Sequence, residues 1–357
     1  MGIIKCSACG HEIISHGEEC KHGRVEIGRK RRTSTTDIGL ILFGGIAGFA
    51  LILEITLRTI FGLGSPVLFE TDSNFGSYPR ANQHLHRFFV DIATNQYGMR
   101  STYDVPKRKN GEYRILFVGD SVPFGLTYVD QRDIFVERIG AGLRGSENPH
   151  TIALNASSPG WAPSNELGFL KSRGIYGADM VVMVYNTKDL TQRFSQYHES
   201  PIVPLQNPPS ATSELWQRYV MPRLFPATSV VDSGSTTLDG QPSSVDAAGV
   251  METIEATRQL VASQGARFVI LFSPVFTEDV RRHQSDWNQA LANLKHWSVE
   301  RGVAILDMTD VITVQNAAAM YFDGVHLRSA GNRLYADAFV NWFSHRQRGV
   351  AASIERN

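Results

Sequence analysis

Five short apolar runs recur along the chain after residue 110, alternating with segments that have the spacing of amphipathic helices. The runs cover residues 114–118, 151–155, 180–185, 268–272 and 303–306. Continuous apolar runs of this length are typical of parallel strands that are buried on both faces. The helical segments cover residues 134–143, 165–174, 250–264, 287–301 and 330–343. This alternation predicts an α/β fold with a parallel sheet covered by helices on both faces.

One segment, residues 201–246, interrupts the alternation. It is rich in Pro, Ser and Gly, and Trp216 and Tyr219 lie in its one short helical pattern. We expect an insertion near the functional face of the domain. The sequence leaves open whether it is a disordered loop or a lid that contacts substrate.

A long apolar stretch lies near the N-terminus. Residues 38–53 carry no charged side chain, and Glu54 has Arg58 four residues on, the favourable order for a helical ion pair. About 20 apolar residues cross a bilayer, so residues 37–61 are long enough to form one transmembrane helix. A buried core helix is the alternative, but a glycine-rich apolar stretch directly after a basic cluster favours the membrane.

Basic residues before the apolar stretch set its expected orientation. They are Arg24, Arg29, Lys30, Arg31 and Arg32. Because basic flanks stay in the cytoplasm, the N-terminus is predicted to be cytoplasmic. Everything after residue 62 would then be periplasmic or extracellular, on the inner membrane of a bacterium. A cleavable signal is disfavoured, since a folded-looking module precedes the stretch and no clear small-x-small site follows.

The first 30 residues resemble a half-degenerate zinc ribbon. All three cysteines of the chain lie here, and Gly10 follows Cys6-x-x-Cys9, so that backbone N–H groups can approach the sulfurs. The predicted ligands of a structural zinc are Cys6, Cys9, Cys20 and His22. His11 and His16 are competing ligands, and a disordered tail with free thiols is the alternative.

The charge balance excludes one large class of function. The chain carries 35 basic and 35 acidic side chains, which provides no electrostatic case for binding nucleic acid. Beyond the apolar stretch we divide the chain into a lead-in segment, residues 62–110, and a main domain, residues 111–346.

Two polar blocks come after predicted strands. Gly119-Asp120-Ser121 follows the strand at residues 114–118, at the edge where open α/β sheets place their ligands. Near the C-terminus, Asp323 and His326 are three residues apart. The carboxylate can accept the ring N–H of the histidine and leave the other ring nitrogen to act as a base. Serine, histidine and acid are the groups that nucleophilic acyl transfer requires.

With these blocks, the chain between Arg114 and Phe343 resembles the SGNH (GDSL) hydrolase family. The four blocks are residues 119–125, 155–160, 186–190 and 323–326. Residues 95–100, Asn-Gln-Tyr-Gly-Met-Arg, also resemble a stretch found ahead of membrane-anchored members. The resemblance implies a flavodoxin-like three-layer α/β/α sandwich. It implies Ser121 as nucleophile, His326 as base and Asp323 as the acid that orients it, with no cofactor for catalysis.

The family's oxyanion hole implies three donors, of which two are the backbone N–H groups of Ser121 and Gly160. The third donor is an Asn side chain in a block that usually reads Gly-x-Asn-Asp, whereas this chain reads Asn186-Thr187-Lys188-Asp189. A gapless match puts Lys188 at the Asn position, and a one-residue bulge restores Asn186. We favour Asn186, because an amide can fill the hole without placing a positive charge beside the base.

The expected function is that of an esterase or O-acyltransferase acting on acyl esters of cell-envelope or exported polysaccharide. The three catalytic groups and the outward topology support it. A transferase with a single span would need a membrane partner that supplies the acyl group. The alternative is a non-catalytic binding or assembly protein for exported polysaccharide, which only the unusual third block favours.

The N-terminal module generates a first prediction. A peptide of residues 1–30 should bind one zinc ion and become ordered, because metal binding supplies folding free energy in such small modules. Zinc titration followed by circular dichroism measures both effects. We expect His22→Ala to weaken binding sharply and His16→Ala to leave it unchanged. Unchanged binding by His22→Ala would mean that another histidine is the ligand or that the site does not exist.

Overall fold

The chain forms two compact units, Met1–Ile52 and Leu53–Asn357. The computed structural model describes residues 3–5, 12–14, 34–105, 108–145, 149–192, 194, 202–224 and 247–354. In the first unit, strands β1 (Ile3–Lys5) and β2 (Glu12–Ile14) pair antiparallel. Helix α1 (Thr35–Thr59) begins in this unit and ends in the second. The predicted zinc ligands Cys6, Cys9, Cys20 and His22, with His11 and His16, lie outside the described residues.

Helix α1 matches the predicted apolar stretch. Within the described part of the chain it is the one helix long and apolar enough to cross a membrane. Its charged residues are Asp37 in the first turn and the pair Glu54 and Arg58 near the end. The side chains between them are largely exposed, as expected of a helix that has lipid as its solvent.

Two short hairpins follow α1, where the sequence pattern shows only a lead-in segment. Strand β3 (Phe69–Asp72) pairs with β4 (Gly76–Pro79), and β5 (His84–Arg87) pairs with β6 (Val90–Ala93). Strands of four residues are too short to show a clear alternation, which is why the hairpins are not visible in the sequence.

The central sheet contains five parallel strands. They are β7 (Tyr113–Gly119), β8 (Thr151–Ser157), β9 (Met180–Asn186), β10 (Arg267–Ser273) and β11 (Ala304–Asp307). Their order across the sheet is β11-β10-β9-β7-β8. All five predicted strands are confirmed, with ends that differ by one or two residues.

The chain after α1 contains further helices. They are α2 (Ser121–Phe124), α3 (Phe135–Arg144), α4 (Pro163–Arg173), α5 (Ala211–Glu214), a π-helical segment (Leu215–Val220), α6 (Met221–Leu224), α7 (Ala247–Ser263), α8 (Glu278–Arg282), α9 (Gln284–Glu300), α10 (Ala317–Met320) and α11 (Ser329–Ile354). The five predicted helices correspond to α3, α4, α7, α9 and α11.

Alternate residues of each strand enter separate cores on the two faces of the sheet. On β7, Ile115 and Phe117 pack with side chains of α3 and α11. Leu116 and Val118 pack on the other face, with α4, α7 and α9. The predicted three-layer α/β/α architecture with a parallel sheet is therefore confirmed.

The predicted insertion is described in part. Residues 211–224 form one continuous helical run, which contains Trp216 and Tyr219 as the sequence predicts. We call this run the insertion helix. Residues 225–246 lie outside the described part of the chain.

The register of the sheet brings three strand ends together. Gly119, the last residue of β7, is paired with Ser157 of β8 on one side and Val184 of β9 on the other. The loops that follow these strands, which hold three of the four sequence blocks, therefore begin at the same place on the carboxyl edge of the sheet.

Candidate active site

The turn that presents Ser121 is held by close packing and by a cap. A Cβ atom on Gly119 would lie 2.7 Å from Pro123 Cγ and 2.9 Å from the carbonyl oxygen of Val184, so the turn can pass between these groups only with glycine. Asp120 caps α2, because its Oδ1 accepts the backbone N–H of Val122 at 2.8 Å. Ser121 is thus the first residue of α2 and is 9% exposed.

Ser121, His326 and Asp323 form a continuous hydrogen-bonded chain. Ser121 Oγ lies 2.8 Å from His326 Nε2, and His326 Nδ1 lies 2.6 Å from Asp323 Oδ2. Nδ1 donates to the carboxylate, so Nε2 can accept the serine proton. The arrangement has the geometry of a nucleophile, a base and an orienting acid.

Local structure explains how Asp323 and His326 meet. The backbone N–H groups of Val325 and His326 both donate to Asp323 Oδ1, at 3.0 and 2.8 Å. Tyr321 and Leu327, which flank these residues in the chain, close the turn through an antiparallel bridge. The turn therefore holds carboxylate and ring together before any contact with Ser121 is made.

Electrostatics keep Asp323 ionised. Partial burial would raise its pKa, but the hydrogen bond and charge of His326 and the backbone N–H groups of His326 and Val325 outweigh burial and lower the pKa of Asp323 to about 2. Above that pH the carboxylate is available to stabilise a protonated His326.

The second block lies beside the nucleophile. The N–H of Ser158 donates to the carbonyl oxygen of Gly119 at 3.2 Å, and Asn155 Nδ2 donates to the carbonyl oxygen of Pro123 at 2.7 Å. Gly160, two residues further on, is exposed and has a φ of +83°. This loop can therefore present the Gly160 backbone N–H towards a group bound at Ser121.

The third block places Asn186 behind the nucleophile turn. Asn186 Nδ2 donates to Asp120 Oδ2 at 2.8 Å, and its Oδ1 accepts the N–H of Lys188 at 2.7 Å. An amide nitrogen carries two protons, so one N–H of Asn186 remains for an oxyanion. The Lys188 side chain is partly buried and makes no hydrogen bond or ion pair with the described residues.

Further carboxyl groups are buried next to Asn186. The backbone N–H of Asn186 donates to Asp189 Oδ2 at 2.7 Å, and Glu166 is fully buried with neither carboxylate oxygen hydrogen-bonded to a described residue. Burial raises the pKa of Asp120, and burial together with neighbouring carboxylates raises the pKa values of Asp189 and Glu166. The backbone N–H of Val122, the charge of His326 and the Asn186 amide lower the pKa of Asp120, but burial outweighs them.

Arg100 supports the loop after the nucleophile, and the sequence alone does not assign this role to it. Its guanidinium is fully buried and donates to the carbonyl oxygens of Phe124, Leu126 and Val129. Burial lowers the pKa of Arg100 to about 9, against the opposing charges of nearby carboxylates. The only sequence signal is its place at the end of the Asn-x-x-Gly-Met-Arg stretch.

A small apolar crevice lies beside the loop that Arg100 supports. It is partly open to solvent. Phe124, Leu126 and Tyr128 line it from the loop that follows Ser121, and Pro159 lines it from the loop of Gly160. Arg218 of the insertion helix also lines this crevice.

Two exposed aromatic side chains flank the hydrogen-bonded chain. Tyr128 follows the nucleophile turn, and Phe322 directly precedes Asp323; they are 49% and 42% exposed. Their ring centroids are 5.6 Å apart, and the Arg328 guanidinium lies 4.6 Å from the Phe322 ring centroid. We call Tyr128 and Phe322 the aromatic pair.

Comparisons with known proteins give distant structural likenesses. No family model and no curated protein matches the sequence. A lipase/acylhydrolase from Enterococcus faecalis matches with 15% identity and a TM-score of 0.43, over 66% of this chain and 96% of its own. A member of the lipolytic G-D-S-L family from Veillonella parvula has 15% identity and a TM-score of 0.42, over 65% and 98%. A catalytic mutant of an acetylxylan esterase from Geobacillus stearothermophilus has 14% identity and a TM-score of 0.41, over 66% and 95%. At these values the likenesses establish neither a family nor an activity.

The third block generates a prediction about the oxyanion. Losing one oxyanion donor costs on the order of 10²–10³ in turnover. We therefore expect Asn186→Ala to lower kcat for a small acyl ester by about that factor with little change in KM, and Lys188→Ala to have a smaller effect.

A structural control is needed because Asn186 also supports Asp120. The thermal unfolding midpoint of each variant separates the loss of a donor from a loss of stability. If the folded Lys188→Ala variant loses more turnover than Asn186→Ala, Lys188 supplies the third donor instead.

Proposed function

We propose that this protein is a membrane-anchored serine hydrolase of the SGNH type that cleaves or transfers acyl groups held in ester linkage. The observation that supports it most directly is the hydrogen-bonded chain from Ser121 through His326 to Asp323. The sequence blocks around these residues resemble that family. The parallel sheet supports the proposal further, because it places three of the four blocks at one edge.

The proposed reaction follows from the geometry. Ser121 Oγ attacks the ester carbonyl carbon while His326 Nε2 takes the serine proton. Asp323 orients the ring and stabilises the imidazolium. His326 then gives the proton to the leaving alcohol, and an acyl ester on Ser121 remains. The negative oxygen of each tetrahedral intermediate accepts from the backbone N–H groups of Ser121 and Gly160 and from Asn186.

Hydrolysis and transfer share this acyl-enzyme and differ in the second acceptor. Water gives an acid, whereas a sugar hydroxyl gives a new ester. In the transfer reaction the acyl group must come from a donor, and with one span we expect a membrane partner to deliver it.

We further propose acylated carbohydrate of the cell envelope or of exported polysaccharide as the substrate. The aromatic pair supports this, because exposed rings beside a reacting centre can stack on the apolar face of a sugar. Helix α1 supports it as well: a single span with a cytoplasmic N-terminus would place the domain in the periplasm or outside the cell.

A binding or assembly protein that keeps the fold without catalysis is the second candidate. The unusual third block favours it, because this chain has Lys188 where a gapless match to the family expects the Asn of the oxyanion hole. The hydrogen bonds that link Ser121, His326 and Asp323 favour catalysis. We therefore prefer the enzyme.

Replacing the nucleophile tests the proposed function. Ser121→Ala should reduce hydrolysis of a small acyl ester about 10⁶-fold, because the covalent step is lost. A fluorophosphonate probe should label the wild type at Ser121 and leave the variant unlabelled. Activity that survives in Ser121→Ala, or labelling at another serine, contradicts the assignment. A folded wild type that neither turns over esters nor reacts with the probe supports the binding protein.

The aromatic pair tests the carbohydrate proposal. Truncating one stacking ring removes about 0.5–1.5 kcal/mol, so Tyr128→Ala and Phe322→Ala should each raise KM for an acetylated oligosaccharide roughly 2–10-fold. Kinetics on a small acyl ester should be unchanged. Tyr97→Ala is a matched control, because Tyr97 is similarly exposed, at 43%, and belongs to the lead-in segment. Equal changes on both substrates would mean that the pair only supports the fold.

A further inference from the structure

The end of α1 is hydrogen-bonded to the insertion helix. Glu54 accepts the backbone N–H groups of Ala211 and Thr212 at 2.8 and 2.9 Å, the Thr212 hydroxyl at 2.8 Å and Arg58 Nε at 2.7 Å. The Glu54 carboxylate therefore accepts four hydrogen bonds. Water can hydrogen-bond to an exposed carboxylate, whereas a carboxylate at the edge of a hydrocarbon layer needs hydrogen bonds from the protein.

Apolar and ionic contacts close the same junction. Leu57, Leu63 and Ala211 are buried together. The buried Glu214 carboxylate pairs with Arg87 and accepts the backbone N–H of Gly64 at 2.6 Å. The insertion helix is thus bound both to the last turns of α1 and to the hairpin that carries Arg87.

No free linker separates α1 from this hairpin. The helix ends at Thr59, and the N–H of Phe88 already donates to the carbonyl oxygen of Phe61 at 3.1 Å. Gly62 has a φ of +66°, and a Cβ atom there would lie 2.0 Å from the carbonyl oxygen of His86. The residues directly after α1 are therefore packed against this hairpin.

Aromatic side chains surround this exit. The Phe61 ring lies 6.3 Å from the Phe88 ring and 6.1 Å from the Phe89 ring, measured between centroids. Phe89 is 68% exposed and Trp216 of the insertion helix is 50% exposed. We call Phe61, Phe88, Phe89 and Trp216 the aromatic collar. Tyr219, three residues after Trp216, lies 5.4 Å from the Phe88 ring between centroids, so the insertion helix packs beside these phenylalanines. The exposed rings of Phe89 and Trp216 in this region indicate an interaction surface.

The length of the uncharged part of α1 indicates at which level of a bilayer this surface would lie. Residues 38–53 span about 24 Å at 1.5 Å per residue, and the hydrocarbon core of a bilayer is about 30 Å thick. Because the uncharged part is shorter than the core, Glu54 and its donors Ala211 and Thr212 would lie at or just inside the hydrocarbon boundary of a bilayer that the helix crosses. The collar then lies in the headgroup layer, where Trp and other aromatic rings are favoured.

We infer that the aromatic collar inserts into the headgroup layer of the membrane that α1 crosses, so that the domain is seated on the lipid surface. The inference rests on the membrane span in the proposed function. Arg58 and Arg223 are exposed near the collar and can pair with lipid phosphates. The insertion helix also lines the apolar crevice through Arg218.

Tryptophan quenching by brominated lipid tests the inference on the full chain in nanodiscs. The emission of Trp216 is the difference between wild type and Trp216→Phe. We expect this emission to be largely lost in phosphatidylcholine brominated near the headgroup, compared with unbrominated lipid. A Val299→Trp substitution in the Trp216→Phe background is the control, because Val299 is 81% exposed on α9, outside the collar, and its tryptophan should not be quenched.

A second variant keeps the test independent of Trp216. Phe89→Trp adds a sixth tryptophan to the five of the wild type, and its added emission should be quenched as well. Unquenched emission of both Trp216 and the tryptophan of Phe89→Trp would contradict the insertion of the collar into the headgroup layer. Alkaline carbonate extraction distinguishes a failure of the membrane span from a failure of collar insertion. A chain that stays in the membrane with an unquenched collar keeps its span but contradicts the insertion. A chain that is extracted contradicts both. Ester turnover through Ser121 does not depend on either result.

Discussion

The parallel register of β7, β8 and β9 is the constraint on which the candidate site depends. Gly119 is paired with Ser157 and Val184, so three loops leave the sheet at one place. The hydrogen bond between Ser121 and His326 then joins residues 205 positions apart in the chain. A change of register would move the loop of Gly160 and the Asn186 side chain away from the nucleophile, even if every local turn were kept.

The polar groups behind Ser121 show how burial and charge are balanced there. Asp120 is held by Val122 and Asn186, and Arg100 is held by three carbonyl oxygens. Such groups are stable in an interior only when their hydrogen bonds are made. Glu166 differs, since its raised pKa favours the neutral acid in the folded chain. Burial and hydrogen bonding thus act in opposite directions on the pKa values of Asp120 and Asp189, and burial prevails.

The lead-in hairpins and the insertion helix connect the site to the end of α1. Phe69 and Ile92 of the hairpins pack with Phe124 and Leu126, which follow the nucleophile. The insertion helix contributes Arg218 to the apolar crevice and Glu214 to the ion pair with Arg87. The parts of the chain that bind the end of α1 therefore also contact the loop that follows the nucleophile.

The sequence by itself determined the α/β class, the five strands, the five long helices and the apolar helix, because periodicity and length depend only on neighbours along the chain. It also indicated Ser121, Asp323 and His326, since a glycine turn and an acid three residues before a histidine are local patterns. Only the tertiary structure decided that Asn186 bonds Asp120, that Arg100 supports the nucleophile loop and that Glu54 binds the insertion helix. Each of these contacts joins distant parts of the chain, and which polar groups are buried together follows from packing, which no local pattern records.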